Sequence, residues 1–344
     1  MARDPGCEFP LWDEYLVNVD AWGSQELLVS PEEIREGCGP FSLVHEPGKP
    51  RDALVLLHGL TDSPWFMRAI AEVMHRQGGM DVYVPLLQGH GLKKPDGMRG
   101  VSHEVWLRNA SWAIRQARRT ARRLSVGGLS TGGALAVLLA FRDQDGQDLL
   151  SGQERSGPPL IDGGVLLFSA ALRLRKQIIL SGRTREQLLR TPIGTIADIW
   201  SERLRTSADG KDYLIGDHPY RYARMDYGAA GELARVIRNL DRKRRTRRWG
   251  ELRGLRQPLF VAHSEADSTA DIRALENLVR ASRDPSRHDV MFFRIGKDFQ
   301  VPHASVVLAK RADGHSGSPM EPANPFFDDM MAAALRQIAK TSTH

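Results

Sequence analysis

Two cysteines in 344 residues, Cys7 and Cys38, are too few for a disulfide framework or a four-cysteine metal site. A Cys7–Cys38 bridge is the one disulfide the chain can form, and nothing else in the sequence supports it. No run approaches the roughly 18 to 20 uninterrupted apolar residues that cross a bilayer. The opening MARDPGCEFPLWDEYLV has no apolar stretch of the secretory kind. A soluble, cytoplasmic chain is therefore expected. HExxH, EF-hand and paired-cysteine patterns are all missing, so neither a metal nor a cofactor is expected. Glycine-rich GGLSTGG (127–133) has neither the GxGxxG spacing with a downstream acidic residue nor the GxxxxGK[ST] pattern. Dinucleotide and phosphate-loop chemistry are set aside on that ground.

The net charge of +6 is unevenly spread: DRKRRTRR (241–248) has six basic side chains in its last seven positions. Such a run attracts polyanions. Here it comes without interleaved aromatics, zinc-ligand spacing or a nucleic-acid module, so it is read as a solvated face, with no specific nucleic-acid partner. Arg173, Arg175, Arg242 and Arg248 leave peripheral contact with anionic interfaces as a second use. Oligomeric state is not legible.

What is present is ordinary for a globular protein: 41% hydrophobic and 26% charged residues. Short apolar or β-branched runs recur at 53–59, 81–87, 124–130, 164–170, 258–264 and 289–296 and read as buried strands. Between them SPWFMRAIAEVMHRQG and VSHEVWLRNASWAIRQARRTARRL carry apolar residues at helical spacing, the second through Val105, Leu107, Trp112, Ile114 and Ala117. Alternating strand and helix predicts an α/β fold, a mostly parallel central sheet with helices on both faces. QELLV (25–29) and FSLVHEP (41–47) are candidates for antiparallel edge strands.

Polar DQDGQDLLSGQERSGPPLIDG (143–163) reads as a long surface loop. A last helix is expected after PANP, with Pro325 in its first turn and Phe326, Met330, Ala333 and Leu335 to Ile338 on its apolar side. Residues 171–255 hold amphipathic pieces and no strand, which predicts a helical cap insertion over the strand ends. The domain reading is a 1–40 extension, a catalytic domain of 41–170 with 256–344, and the 171–255 insertion.

A serine hydroxyl is a poor nucleophile at neutral pH; acyl transfer needs a base, a group orienting that base, and donors for the oxyanion. Ser130 lies in Gly128-Leu129-Ser130-Thr131-Gly132, a GxSxG pattern between a candidate strand and the apolar helix GGALAVLLAF. That context matches a strand-to-helix turn that exposes the serine. A packing turn in a chain with 32 glycines is the weaker reading.

LVLLHGLTDSP, VPLLQGHG, GLSTGG, HSEAD and VPHASVV, in that order, resemble the α/β-hydrolase superfamily, in particular its monoacylglycerol-lipase and bacterial-carboxylesterase branch. The likeness covers about residues 50–140 and 255–340. It implies the order serine, acid, histidine. His303, after the run at 289–296, is then favoured as base over His315; His288 precedes that run and sits at the wrong edge. Asp267, after LFVAH, is favoured as orienting acid over Asp271 and Glu265, with Asp271 better placed as a helix cap. The oxyanion donors implied are the backbone amides of Leu60 and Thr131. His58 and His90 are read as structural. The activity implied is a cofactor-free serine carboxylic-ester hydrolase acting through an acyl-enzyme on short-to-medium acyl esters or lipid-like substrates. Carbon–carbon bond hydrolysis, acyl transfer and a non-catalytic binding scaffold are alternatives on the same fold. In the insertion, Ile178, Ile179, Leu180, Ile193, Ile196, Ile199 and Trp200 are candidates for an acyl pocket, with packing inside the cap as the more ordinary role.

Overall fold

The computed structural model describes residues 31–46, 50–94, 97–175, 218–222, 226–244, 252–284, 289–309 and 321–339. Its strands are β1 (Phe41–Leu43), β2 (Ala53–Leu57), β3 (Asp81–Val84), β4 (Leu124–Leu129), β5 (Val165–Phe168), β6 (Leu259–Ser264) and β7 (Val290–Ile295). They form one sheet in the order β1-β3-β2-β4-β5-β6-β7. Every pair is parallel except β1 with β3. Each of the six long runs is thus a strand, and FSLVHEP supplies the antiparallel edge. QELLV lies outside the described residues.

The helices among the described residues are α1 (Arg68–Arg76, entered through a 3-10 turn at Pro64–Met67), α2 (His103–Arg118), α3 (Thr131–Gln144), α4 (Tyr227–Arg244), α5 (Ile272–Ser282) and α6 (Phe327–Ala339). Side-chain alternation divides the core between the two faces of the sheet. Val55, Leu57, Val126, Leu167 and Val261 pack under α2 to α5, whereas Leu54, Leu56, Phe168, Phe260 and Ala262 pack under α1 and α6. With both faces covered, the central strands read as unbroken apolar runs rather than alternating ones. Helix α3 is buried on nearly every side, between the sheet, α2 and α4. That is why its sequence is apolar all round; a fully buried side chain such as Phe141 contributes about 1.5–3 kcal/mol.

Three expectations change in detail. Helix α4, read as part of the insertion, sends Ala229, Leu233, Val236, Ile237 and Leu240 into the same core as α2 and α3. Loop 143–163 lies at the surface as expected, but its first two residues end α3 and it is pinned to the body: buried Asp143 pairs with Arg155 and accepts from the Leu160 and Ile161 amides (3.0 and 2.8 Å). It thereby anchors Ile161 in the core. Helix α6 begins at Phe327, with the Asn324 side chain accepting from the Phe326 amide (2.9 Å), and buries Phe327 and Met331 rather than Phe326. Pro325 therefore stands just before the helix rather than in its first turn. Cys38 is buried and free. No helix among the described residues is long and apolar enough to cross a membrane.

Candidate active site

In a parallel sheet the loops at the strands' C-terminal ends share one edge, and each predicted site residue lies there. Ser130 directly follows β4 and precedes α3, at φ 52° and ψ −115°. This left-handed conformation is costly for a residue with a Cβ, and the surroundings enforce it. A Cβ at Gly128 would lie 2.4 Å from the Leu57 carbonyl oxygen, and one at Gly132 would lie 2.1 Å from it. The flanking glycines of GxSxG are therefore required by the close approach of the turn to β2. The Ser130 amide donates to Phe168 O (3.1 Å), and its carbonyl accepts from Ala134 and Ala171 (both 3.0 Å). The turn is bonded on all sides.

Asp267 follows β6 and is fully buried. Its Oδ1 accepts from the Thr269 and Ala270 amides (2.7 and 3.0 Å), which leaves Oδ2 for His303 Nδ1 at 2.7 Å. Burial alone would raise its pKa. The charge and hydrogen bond of His303, with His263 and the Ala270 amide, outweigh that and lower it to about 2. His303 lies in the loop after β7, 5% exposed. Burial would lower its pKa; Asp267 first, then the charge of Asp62, turn the net shift upward, against an opposing contribution from Arg221. A carboxylate only accepts, so Nδ1 carries the proton and the lone pair of the neutral ring sits on Nε2. That atom has no hydrogen-bond partner among the described residues, Ser130 included. The structure thus joins Asp267 to His303 and places Ser130 on the same edge without a hydrogen bond to the imidazole.

The competing residues have other tasks. Asp271 caps α5 by accepting from the Arg273 amide (3.0 Å) and pairs with Arg173 at 2.9 Å. Glu265 faces Arg294 at 3.8 Å, and its carbonyl accepts from Arg175 (3.0 Å). His288 and His315 lie outside the described residues, as do Ile178 to Trp200 of the insertion.

Thr131 opens α3, where first-turn amides have no partner inside the helix. Leu60 follows Gly59, and a Cβ on Gly59 would meet the Ser130 Cβ at 3.4 Å, so this loop runs against the serine. Two histidines hold it. His58 Nδ1 donates to Gly59 O (3.0 Å) while its Nε2 accepts from the Leu87 amide (3.1 Å). His90, kept neutral by burial with a pKa lowered to about 4, reaches Leu60 O through Nε2 at 2.7 Å. Both braces tie the loop after β2 to the loop after β3.

A charged group at this edge was not foreseen. Asp62, Arg221 and Glu321 are 1%, 2% and 6% exposed. Arg221 Nε lies 3.9 Å from Asp62 Oδ1, its Nη2 pairs with Glu321, and its guanidinium lies 4.6 Å over the Phe66 ring. Burial raises the pKa of Asp62 in spite of Arg221 and His303 nearby. A Cβ on Gly59 would fall 2.2 Å from Asp62 Oδ2, so this carboxylate occupies the space that only glycine leaves. His263, on β6, is also buried, 3.7 Å from Asp267 Oδ2, with a pKa lowered by burial to about 4. The DS of HGLTDSP was the one available hint: an acidic residue inside an apolar, glycine-bearing loop.

A strained serine turn at the end of β4, a buried carboxylate after β6 and a histidine after β7, over this strand order, match one fold. The chain belongs to the α/β-hydrolase superfamily. Residues 48–289 match the family model Hydrolase_4, described as "Serine aminopeptidase, S33". The chain is 30% identical over 112 residues to the thermostable monoacylglycerol lipase of Bacillus sp. (strain H-257), a stretch that is 33% of this chain and 42% of that protein. It therefore spans less than half the length of that curated relative. Among solved structures this chain is similar to a metagenome-derived lipolytic enzyme of the LipS and LipT study (TM-score 0.57, 17% identity, 91% of this chain and 100% of that one). It is also similar to a soluble variant of monoglyceride lipase from Saccharomyces cerevisiae (TM-score 0.55, 11% identity, 88% and 92%). At such identities the structures speak for the fold alone.

Proposed function

We propose that this protein is a serine carboxylic-ester hydrolase that works through an acyl-enzyme. The supporting observation is the strained Ser130 turn on the same sheet edge as a buried His303–Asp267 pair bonded at 2.7 Å. In this reading Ser130 Oγ attacks the ester carbonyl as His303 Nε2 accepts its proton. Asp267 holds the Nδ1–H tautomer and stabilises the imidazolium. The Leu60 and Thr131 amides take the negative charge that develops on the carbonyl oxygen. His303 then protonates the departing alkoxide, and water repeats the cycle on the acyl-serine. The relatives named as monoacylglycerol and monoglyceride lipases support monoacylglycerols as substrates, and short-to-medium acyl chains are assigned with them in this reading. The segment within 171–255 is assigned as the cap that admits the acyl chain.

Turnover of p-nitrophenyl esters from acetate to decanoate and of monoacylglycerols tests this, with Ser130→Ala as the control. The parent is expected to hydrolyse them, and the variant to lose about 10⁴-fold or more in kcat while keeping its circular dichroism. Ester turnover unchanged in Ser130→Ala, or turnover of aminoacyl amides with none of esters, overturns the proposal.

A further inference from the structure

At the opposite edge of the sheet, side chains from three elements converge. His45 follows edge strand β1, His75 ends α1, and Asp81 opens β3. One ligand atom from each lies within 4.8 Å of the other two. The imidazole rings face each other with centroids 3.9 Å apart. His75 Nδ1 bonds the Met80 carbonyl oxygen at 2.9 Å. A carbonyl can only accept, so Nδ1 bears the proton and the neutral ring offers its lone pair at Nε2. A ring nitrogen anchored on a backbone carbonyl is the usual support of a metal-binding histidine. In His45 it is Nδ1 that faces the carboxylate, 3.0 Å from Asp81 Oδ1, whose place the His45 amide fixes at 2.9 Å, so an ion would take the position of the proton shared between the two. The His45 and Asp81 side chains are 24% and 13% exposed, shielded yet open to an entering ion.

We propose that His45, His75 and Asp81 form a site for a transition-metal dication of the zinc type, which clamps β1 to β3 and α1. Two imidazoles and one carboxylate suit zinc, copper or nickel rather than calcium or magnesium. Tetrahedral zinc with bonds of about 2.0–2.1 Å holds its ligand atoms about 3.3 Å apart, so side-chain rotations of about an ångström close the site, with water as the fourth ligand. The other group of this kind among the described residues, His103 with Glu104 and Glu232, differs in the decisive respect. His103 Nδ1 donates to Glu232 (2.6 Å), and its Nε2 takes the amide of Asn239 (3.3 Å). Its lone pair is spent on bracing α2 to α4.

The full chain, stripped with EDTA, is titrated with zinc chloride by calorimetry and melted with and without one equivalent of the metal. The parent is expected to bind one equivalent saturably and to melt at a higher temperature with it. His75→Ala and His45→Ala are expected to lose more than about 10-fold in affinity, and His103→Ala to keep the parent's value. Absence of a saturable equivalent in the parent overturns the proposal whether or not the variants fold. So does binding at parental affinity by His75→Ala, which would place the metal elsewhere, at His303 for instance.

Discussion

At the N-terminal edge of the sheet, Asp52 and Asp162 meet Arg122 and Arg118 at 2.9 Å in pairs that water reaches. At the C-terminal edge Asp62, Asp267, Arg221 and His303 are all 5% exposed or less, and Ser130 stands at a positive φ. The same strands end in both sets of groups. Water screens the first set, so those pairs contribute little to stability and bear little on their neighbours. The second set is held in a low-dielectric interior, where each charge shifts the protonation of the next. The difference teaches where the molecule concentrates costly features: strain, buried charge and an imidazole nitrogen without a partner lie together where substrate would arrive.

Among the charged groups of the two edges, the largest expected effect comes from the acid. Asp267→Asn keeps an oxygen for the Thr269 and Ala270 amides but turns an NH2 toward His303 Nδ1, which favours the wrong tautomer. Ester-hydrolysis kcat is expected to fall about 10⁴-fold with the melting temperature little changed. A loss under 10-fold would place the orienting carboxylate elsewhere. Next is the buried arginine. Arg221→Met leaves Asp62 and Glu321 buried without their cation and is expected to destabilise the fold by about 3–5 kcal/mol, measured by urea unfolding.

A smaller effect is a shift on the pH axis. The base works only when neutral, so kcat/KM rises with pH as His303 loses its proton. The groups around His303 are Asp267, Asp62, Arg221 and His263, and their net effect raises its pKa. The acidic limb is therefore expected to have its midpoint above the ordinary imidazole value of about 6.5. Asp62→Asn removes one of the negative charges responsible and is expected to move that midpoint downward. The smallest effect is at the other edge: Arg122→Ala, breaking the pair with Asp52, is expected to leave melting temperature and kcat/KM unchanged within error.

Legibility in the sequence followed the same division. The strands were visible because burial on both faces makes each an apolar run, and the GxSxG turn because its requirement is local: two glycines packed against Leu57. Asp267 and His303 are 36 residues apart, and only the order of motifs joined them; no local pattern says which acid meets which imidazole. Asp62, Arg221 and Glu321 escaped because their pairing crosses three distant segments, each of which reads alone as an ordinary charge. Helix α4 was misplaced for a related reason: amphipathic periodicity states that a face is buried, not what buries it.

The central claim is that Ser130 is the nucleophile activated by His303. Labelling of the intact protein with a fluorophosphonate, followed by peptide mass mapping, tests it most directly. One adduct per chain on Ser130 is predicted, absent in Ser130→Ala and at least 100-fold slower to form in His303→Ala. An adduct on another residue, or labelling of Ser130 at the parental rate without His303, would contradict it.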